Sequence, residues 1–134
     1  MTLDELNALL PDFPKSMGVT LTGGAPEFVE GTMTVLPQHG NRNGVMHGGA
    51  IMALADALGG TAAAINLEEG QNTTTLESKT NFLRPIPIGE TATARCEALH
   101  RGRRTSIWQT TVRREDGKPA AIVIQTQMTL NPSS

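Results

Sequence analysis

The chain has 134 residues, with 11 Lys and Arg against 13 Asp and Glu and a formal net charge of −2. That length supports one hydrophobic core and leaves little for a second domain, and the balanced charge excludes a surface built for nucleic acid or an anionic membrane. The single cysteine, Cys96, rules out an intrachain disulfide and a cysteine metal cluster and fits a reducing compartment, so the expected location is cytoplasmic.

In chain order, Thr2 and Glu5 have the form of a capping box, and Leu3, Leu6, Leu9 and Leu10 make one apolar face before Pro11 ends a short helix. This start carries Asp4 and Glu5 and no basic stretch, so it does not read as a secretory signal. Pro11 to Pro26 reads as loop-rich, with a short strand from Met17 to Leu21. Val29, Met33 and Val35 share one face of a strand that ends at Pro37, and Gln38 to Val45 is a polar, Gly-rich loop. From Gly48 the spacing of Ile51, Leu54, Ala55, Leu58, Ala62 and Ile65 predicts a helix, apolar nearly all round and therefore buried. Ala50 to Ile65 is too short and too rich in Ala and Gly for a membrane span.

After a turn at Glu68 to Asn72, four β segments follow. They are Thr73 to Leu83, the alternating set Ala92, Ala94, Cys96 and Ala98, then Ser106 to Val112, and last Ala120, Ile122, Ile124, Thr126, Met128 and Leu130 as one alternating face. Pro85 to Gly89, His100 to Arg104 and Asp116-Gly117 separate them. The expected fold class is α+β, an antiparallel sheet of about five or six strands around one long helix. Residues 1–17 form an N-terminal helix and loop, and residues 18–130 the core of a single domain.

The run Asn43-Gly44-Val45-Met46-His47-Gly48-Gly49 through Leu54-Ala55-Asp56, then Thr75-Leu76-Glu77-Ser78-Lys79 and Asn81-Phe82-Leu83-Arg84-Pro85, resembles the hotdog-fold acyl-CoA thioesterases of the phenylacetate-pathway (PaaI-like) branch. Gly102-Arg103-Arg104 and Asp116-Gly117-Lys118 extend the likeness to roughly Gly18 to Leu130. The resemblance implies a sheet wrapping the central helix and two subunits joined side by side into one sheet, with pairs associating into tetramers. It also implies hydrolysis of small or medium acyl-CoA thioesters, aromatic ones included, with no metal or other cofactor.

The residues offer parts for that chemistry. Gly48 or Gly49 presents a bare N–H at the positive end of the helix dipole, where an oxyanion develops, although two glycines also simply permit a tight turn. Asp56 is a carboxylate in mid-helix, fit for a base or nucleophile, or else a residue on a wet face or the partner of a strand hydroxyl. The resemblance assigns Gly48 as oxyanion donor and Asp56 as the catalytic carboxylate. Eight residues of helix separate them by about 12 Å, whereas reacting groups meet within roughly 3.5 Å. Gly48 of one subunit must therefore work with Asp56 of another.

By the same resemblance Asn41 lies close to the thioester, its amide donating to one group and accepting from another; it otherwise reads as a turn residue. His47 shapes the helix start or contacts substrate. Thr75, or Thr74 beside it, places a hydroxyl and a water next to the carboxylate, the alternative being an ordinary strand Thr. Arg103, Arg104 and Arg84 form a candidate cationic rim for the coenzyme A phosphates, as against solvated surface arginines, with Gly49 as a further contact. Gly60 stands where some aryl-CoA relatives carry a hydroxyl, and Met17, Met33, Met46 and Met52 are candidates to line an adaptable acyl pocket. The competing functions are a non-catalytic acyl-CoA-binding module and a hotdog hydratase or dehydratase.

Overall fold

In the computed structural model, which describes residues 1–132, a long helix that buries most of its circumference is the element around which the rest is built. That helix, α3 (Gly48–Ile65), packs against all six strands of one antiparallel sheet. The strands are β1 (Thr20–Ala25), β2 (Phe28–Thr34), β3 (Asn72–Phe82), β4 (Thr91–Arg101), β5 (Thr105–Arg113) and β6 (Pro119–Leu130), in the order β1-β2-β4-β5-β6-β3. The length and hydropathy of α3 would suffice to cross a membrane, but Leu54, Ala55, Leu58 and Ala62 are wholly buried against the sheet. The core is completed by Val29, Met33 and Val35 of the β2 region and by Trp108 and Val112 of β5.

The two edges of the sheet differ. Two short helices, α1 (Leu3–Ala8) and α2 (Asp12–Ser16), precede β1. The Thr2–Glu5 capping box forms as expected. From α1, Asn7 donates its amide to Leu21 O at 3.0 Å and accepts from Leu21 N at 2.9 Å, taking the place of a strand partner where β1 slips register. Gly24 admits the Leu6 side chain; a Cβ there would lie 3.1 Å from both of its methyls. The β1 edge is thus covered. At the other edge, eleven-residue β3 pairs only with β6 and is largely exposed.

Several expectations change. The stretch from Pro11 to Pro26 holds more regular structure than a loop-rich reading expects: it contains α2 and β1, the strand lying later than Met17 to Leu21 and running through Gly23 and Gly24. In the leucine face only Leu6 and Leu10 are buried. The turn expected at His100 begins at Gly102, because β4 runs on through Arg101 after a bulge beside Ala98. In β6 the alternating set read from the sequence is, beyond Ala120, the face turned away from the helix. Ala121, Val123, Gln125 and Gln127 face the helix, while Ile122, Ile124, Thr126 and Met128 on the opposite face are half-buried and Leu130 is exposed. Alternation reveals that a strand has two faces but not which one receives the helix. Finally, α3 is not buried all round, since Gly49, Met52 and Asp56 form an exposed stripe.

Candidate active site

The α3 N-terminus settles which glycine has a free donor. His47 caps the helix in an extended conformation (φ −61, ψ 137), and its Nδ1 accepts the Gly49 N–H at 2.8 Å. That bond requires an unprotonated Nδ1, so the ring is assigned as the Nε2–H tautomer. Gly49 is therefore spent on the cap. The Gly48 N–H, first in the helix, has no intrahelical acceptor and finds none among the described residues. Gly48 also lies against the Phe82 ring; a Cβ would stand 3.1 Å from its Cζ.

Asn41 is beside Gly48. Both line a cavity of about 340 Å³ with Met46, Phe82 and Arg84. The Asn41 Oδ1 accepts from Asn43 N at 2.9 Å and Val45 N at 3.3 Å, so it stabilises its own loop. The two-way amide expected from the sequence is reduced to its NH₂ group. Arg84 donates to the Pro119 carbonyl at 2.8 Å.

Asp56 occupies a second depression of about 410 Å³, with Ala53, Gly60 and Ala64 along the helix and Leu9, Pro11, Phe13 and Pro14 from the α1–α2 segment. Its Oδ1 accepts from Gln125 Nε2 at 3.0 Å and from Thr75 Oγ1 at 3.4 Å. Gln127 Nε2 donates to Thr75 Oγ1 at 2.9 Å. The register of β3 against β6 slips between Thr75 and Glu77, which makes Leu76 the bulged residue and sets Thr75 opposite Gln127. Thr75, and not Thr74, reaches Asp56 as a result.

The structure keeps these two clusters apart within one chain. Gly48 and Asp56 lie on one unbroken helix, about 12 Å apart by its rise. Gly48 stands at the Phe82 end of β3 and Asp56 at the Thr75 end. Arg103 and Arg104 form a third cluster with Arg101 around a cavity of about 680 Å³ that includes Ala63 and Asn66 from the C-terminal end of α3. The expected single rim of three arginines is therefore split, Arg84 going with Gly48. Of the four methionines, Met33 and Met46 are buried in the core, and none lines the Asp56 cavity. Among the described residues, no three His, Cys, Asp or Glu side chains gather as metal ligands.

Gln125 and Gln127 were not anticipated. Both are fully buried on the helix-facing side of β6, and the one signal in the sequence was a pair of amides at positions i and i+2 following the apolar Ala121 and Val123 on that face.

Residues 43–121 match the thioesterase superfamily. A putative esterase of Haemophilus influenzae is 33% identical over 131 residues, covering 97% of this chain and 94% of that protein. Among solved structures, a Haemophilus influenzae thioesterase superposes with a TM-score of 0.91 at 31% identity, over 100% of this chain and 94% of the other. A Streptococcus mutans protein solved with bound acetyl-CoA shares the fold, with a TM-score of 0.79 at 24% identity over 87% of this chain and 91% of its own.

Proposed function

The chain belongs to the thioesterase superfamily and is a thioester hydrolase; from that premise we propose that it acts on acyl-CoA at sites shared between two subunits, with Asp56 and Gly48 as the catalytic groups. The observation that carries this reading is the pairing on one helix of an exposed carboxylate, held through one oxygen, with a free N–H about 12 Å away. Each is half of a site. Two-fold antiparallel pairing of β3 with a second copy of itself, centred between Thr75 and Phe82, sets the Gly48 end of one subunit against the Asp56 end of the other. The uncovered β3 edge and the covered β1 edge support that arrangement.

In such a site the Asp56 carboxylate adds to the thioester carbonyl carbon, or takes a proton from the water that does. The carbonyl oxygen gains negative charge, which the Gly48 N–H and the α3 dipole of the other subunit stabilise. The tetrahedral adduct then collapses with cleavage of the C–S bond, and the CoA thiolate leaves and takes up a proton. In the water route the acid forms directly; in the nucleophilic route water hydrolyses the acyl-Asp56 anhydride. The Asn41 NH₂ group stands beside Gly48, and His47 acts through the cap that leaves the Gly48 donor free.

The 410 Å³ depression holds the acyl group between the small residues Gly60 and Ala64 and the wall of Leu9, Phe13 and Pro14, which suits small or medium acyl chains, aromatic ones included. Arg103 and Arg104, at the far end of α3, face the CoA phosphates. The acetyl-CoA bound to the Streptococcus mutans relative supports that ligand class.

The test is release of free CoA thiol from a panel of short, medium and aromatic acyl-CoAs by wild type and Asp56→Asn. Hydrolysis by wild type and a loss of kcat of at least about 10²-fold in the variant is expected. Unchanged turnover in Asp56→Asn refutes the assignment, binding without turnover by wild type points to a binding module, and a change in enoyl absorbance without thiol release points to a hydratase.

A further inference from the structure

Gln125 presents an anomaly that core packing does not explain. It is fully buried on the inner face of β6, and its Oε1 has no hydrogen-bond partner, a condition that costs stability and calls for a reason. An apolar side chain of similar volume would fill the space without leaving an orphan oxygen. Its Nε2, however, reaches Asp56 Oδ1 at 3.0 Å. Turning the amide over to relieve Oε1 would bring that oxygen against a carboxylate oxygen, so the charge on Asp56 fixes the amide's orientation. The helix is adapted to the same contact: at Gly59 a Cβ would overlap Gln125 Oε1, and only glycine lets the backbone of α3 pass over the amide.

The neighbouring contacts run to the same atom. Gln127, also buried, donates to Thr75 Oγ1 at 2.9 Å, and Thr75 in turn lies 3.4 Å from Asp56 Oδ1. Gln125 pairs across the sheet with Ser78, and Gln127 with Thr75, so both amides rise from β6 beneath the open side of α3. Gln125 Nε2 donates to Oδ1, the Thr75 hydroxyl has both Oδ1 at 3.4 Å and Gln127 Oε1 at 3.2 Å within reach of its one proton, and Oδ2 has no partner among the described residues. We propose that Gln125 is a positioning residue for thioester hydrolysis: its buried amide anchors Asp56 through Oδ1 and leaves Oδ2 as the working oxygen. This rests on the role given to Asp56 above.

The experiment compares Gln125→Met with wild type and Asp56→Asn, measuring kcat and KM for an acyl-CoA that wild type hydrolyses, and thermal midpoints for all three. Gln125→Met removes the donor and the orphan acceptor together. The expected result is a fall in kcat of about tenfold or more, the worth of one hydrogen bond to a charged group, with KM unchanged and a midpoint equal to or above that of wild type. A purely structural role would lower the midpoint and leave the kcat of the folded fraction intact, and that result overturns the proposal. If Gln125→Met does not fold, Gly59→Ala is decisive, because its methyl displaces the amide while Gln125 remains: loss of kcat at constant KM supports the proposal and wild-type kcat overturns it. Asp56→Asn inactive with Gln125→Met fully active defeats this inference alone, whereas full activity in Asp56→Asn defeats it together with the catalytic assignment.

Discussion

Replacing Gly48 with proline deletes one hydrogen-bond donor with little disturbance to the helix that carries it. Gly48 is the first helical residue, where proline is favoured because its missing N–H has no helical partner. His47 before it is already extended at φ −61, ψ 137, as a residue preceding proline must be. The steric demand falls on Phe82, whose Cζ would lie 3.1 Å from an added Cβ; that ring is 55% exposed in the single subunit. Loss of one oxyanion donor lowers kcat by about 10²–10³, or ~2.7–4 kcal/mol of transition-state stabilisation. Gly48→Ala carries the same Cβ and keeps the N–H, so it is the steric control. Both variants should melt within a few degrees of wild type, with kcat from thiol release collapsing only in Gly48→Pro. Equal kcat in the two refutes the role of the Gly48 N–H. Mixing refolded Gly48→Pro and Asp56→Asn subunits in equal amounts then tests the shared site. Half of the dimers are mixed and each holds one intact composite site, which restores about one quarter of wild-type activity. No restoration refutes sharing.

Removing both Arg103 and Arg104 as alanines should raise KM for acyl-CoA severalfold, most at low salt, and leave KM for the matching N-acetylcysteamine thioester unchanged; an equal effect on both thioesters removes the arginines from the CoA phosphates. Cys96, fully buried in β4, supplies a pH prediction. Burial pushes its thiol up from 9.0 to about 11. The neutral form is thus favoured in the folded state, and this contribution is complete below pH 9 and lost as pH rises through 11. The total is roughly 3 kcal/mol. Urea midpoints should fall between pH 9 and 11 in wild type and fall less in Cys96→Ala; no tyrosine titrates in that window, because the chain has none.

Much of the fold was legible because its signals are local. The Thr2–Glu5 box, the helical spacing from Gly48 to Ile65 and the Asp116-Gly117 turn each depend on residues within one or two turns of each other. Glycine-rich β1 was placed too early in the chain for the opposite reason. Gly23 and Gly24 weaken any strand signal, and β1 persists because β2 pairs with it and Asn7 closes its outer edge.

The candidate site divides along the same line. The sequence by itself determined that Gly48 and Asp56 stand too far apart on one helix to serve one carbonyl, since the rise of an α-helix is fixed by its backbone. Tertiary structure decided what each of them touches. Gly48 rather than Gly49 keeps a free N–H because His47 turns back onto Gly49, and Thr75 rather than Thr74 meets Asp56 because Leu76 bulges. Gln125 lies beneath the helix because the inner face of β6 is the one bearing two amides. Face, register and donor partnership are set by contacts between segments up to 69 positions apart, and a one-residue slip in a strand reverses every side chain that follows.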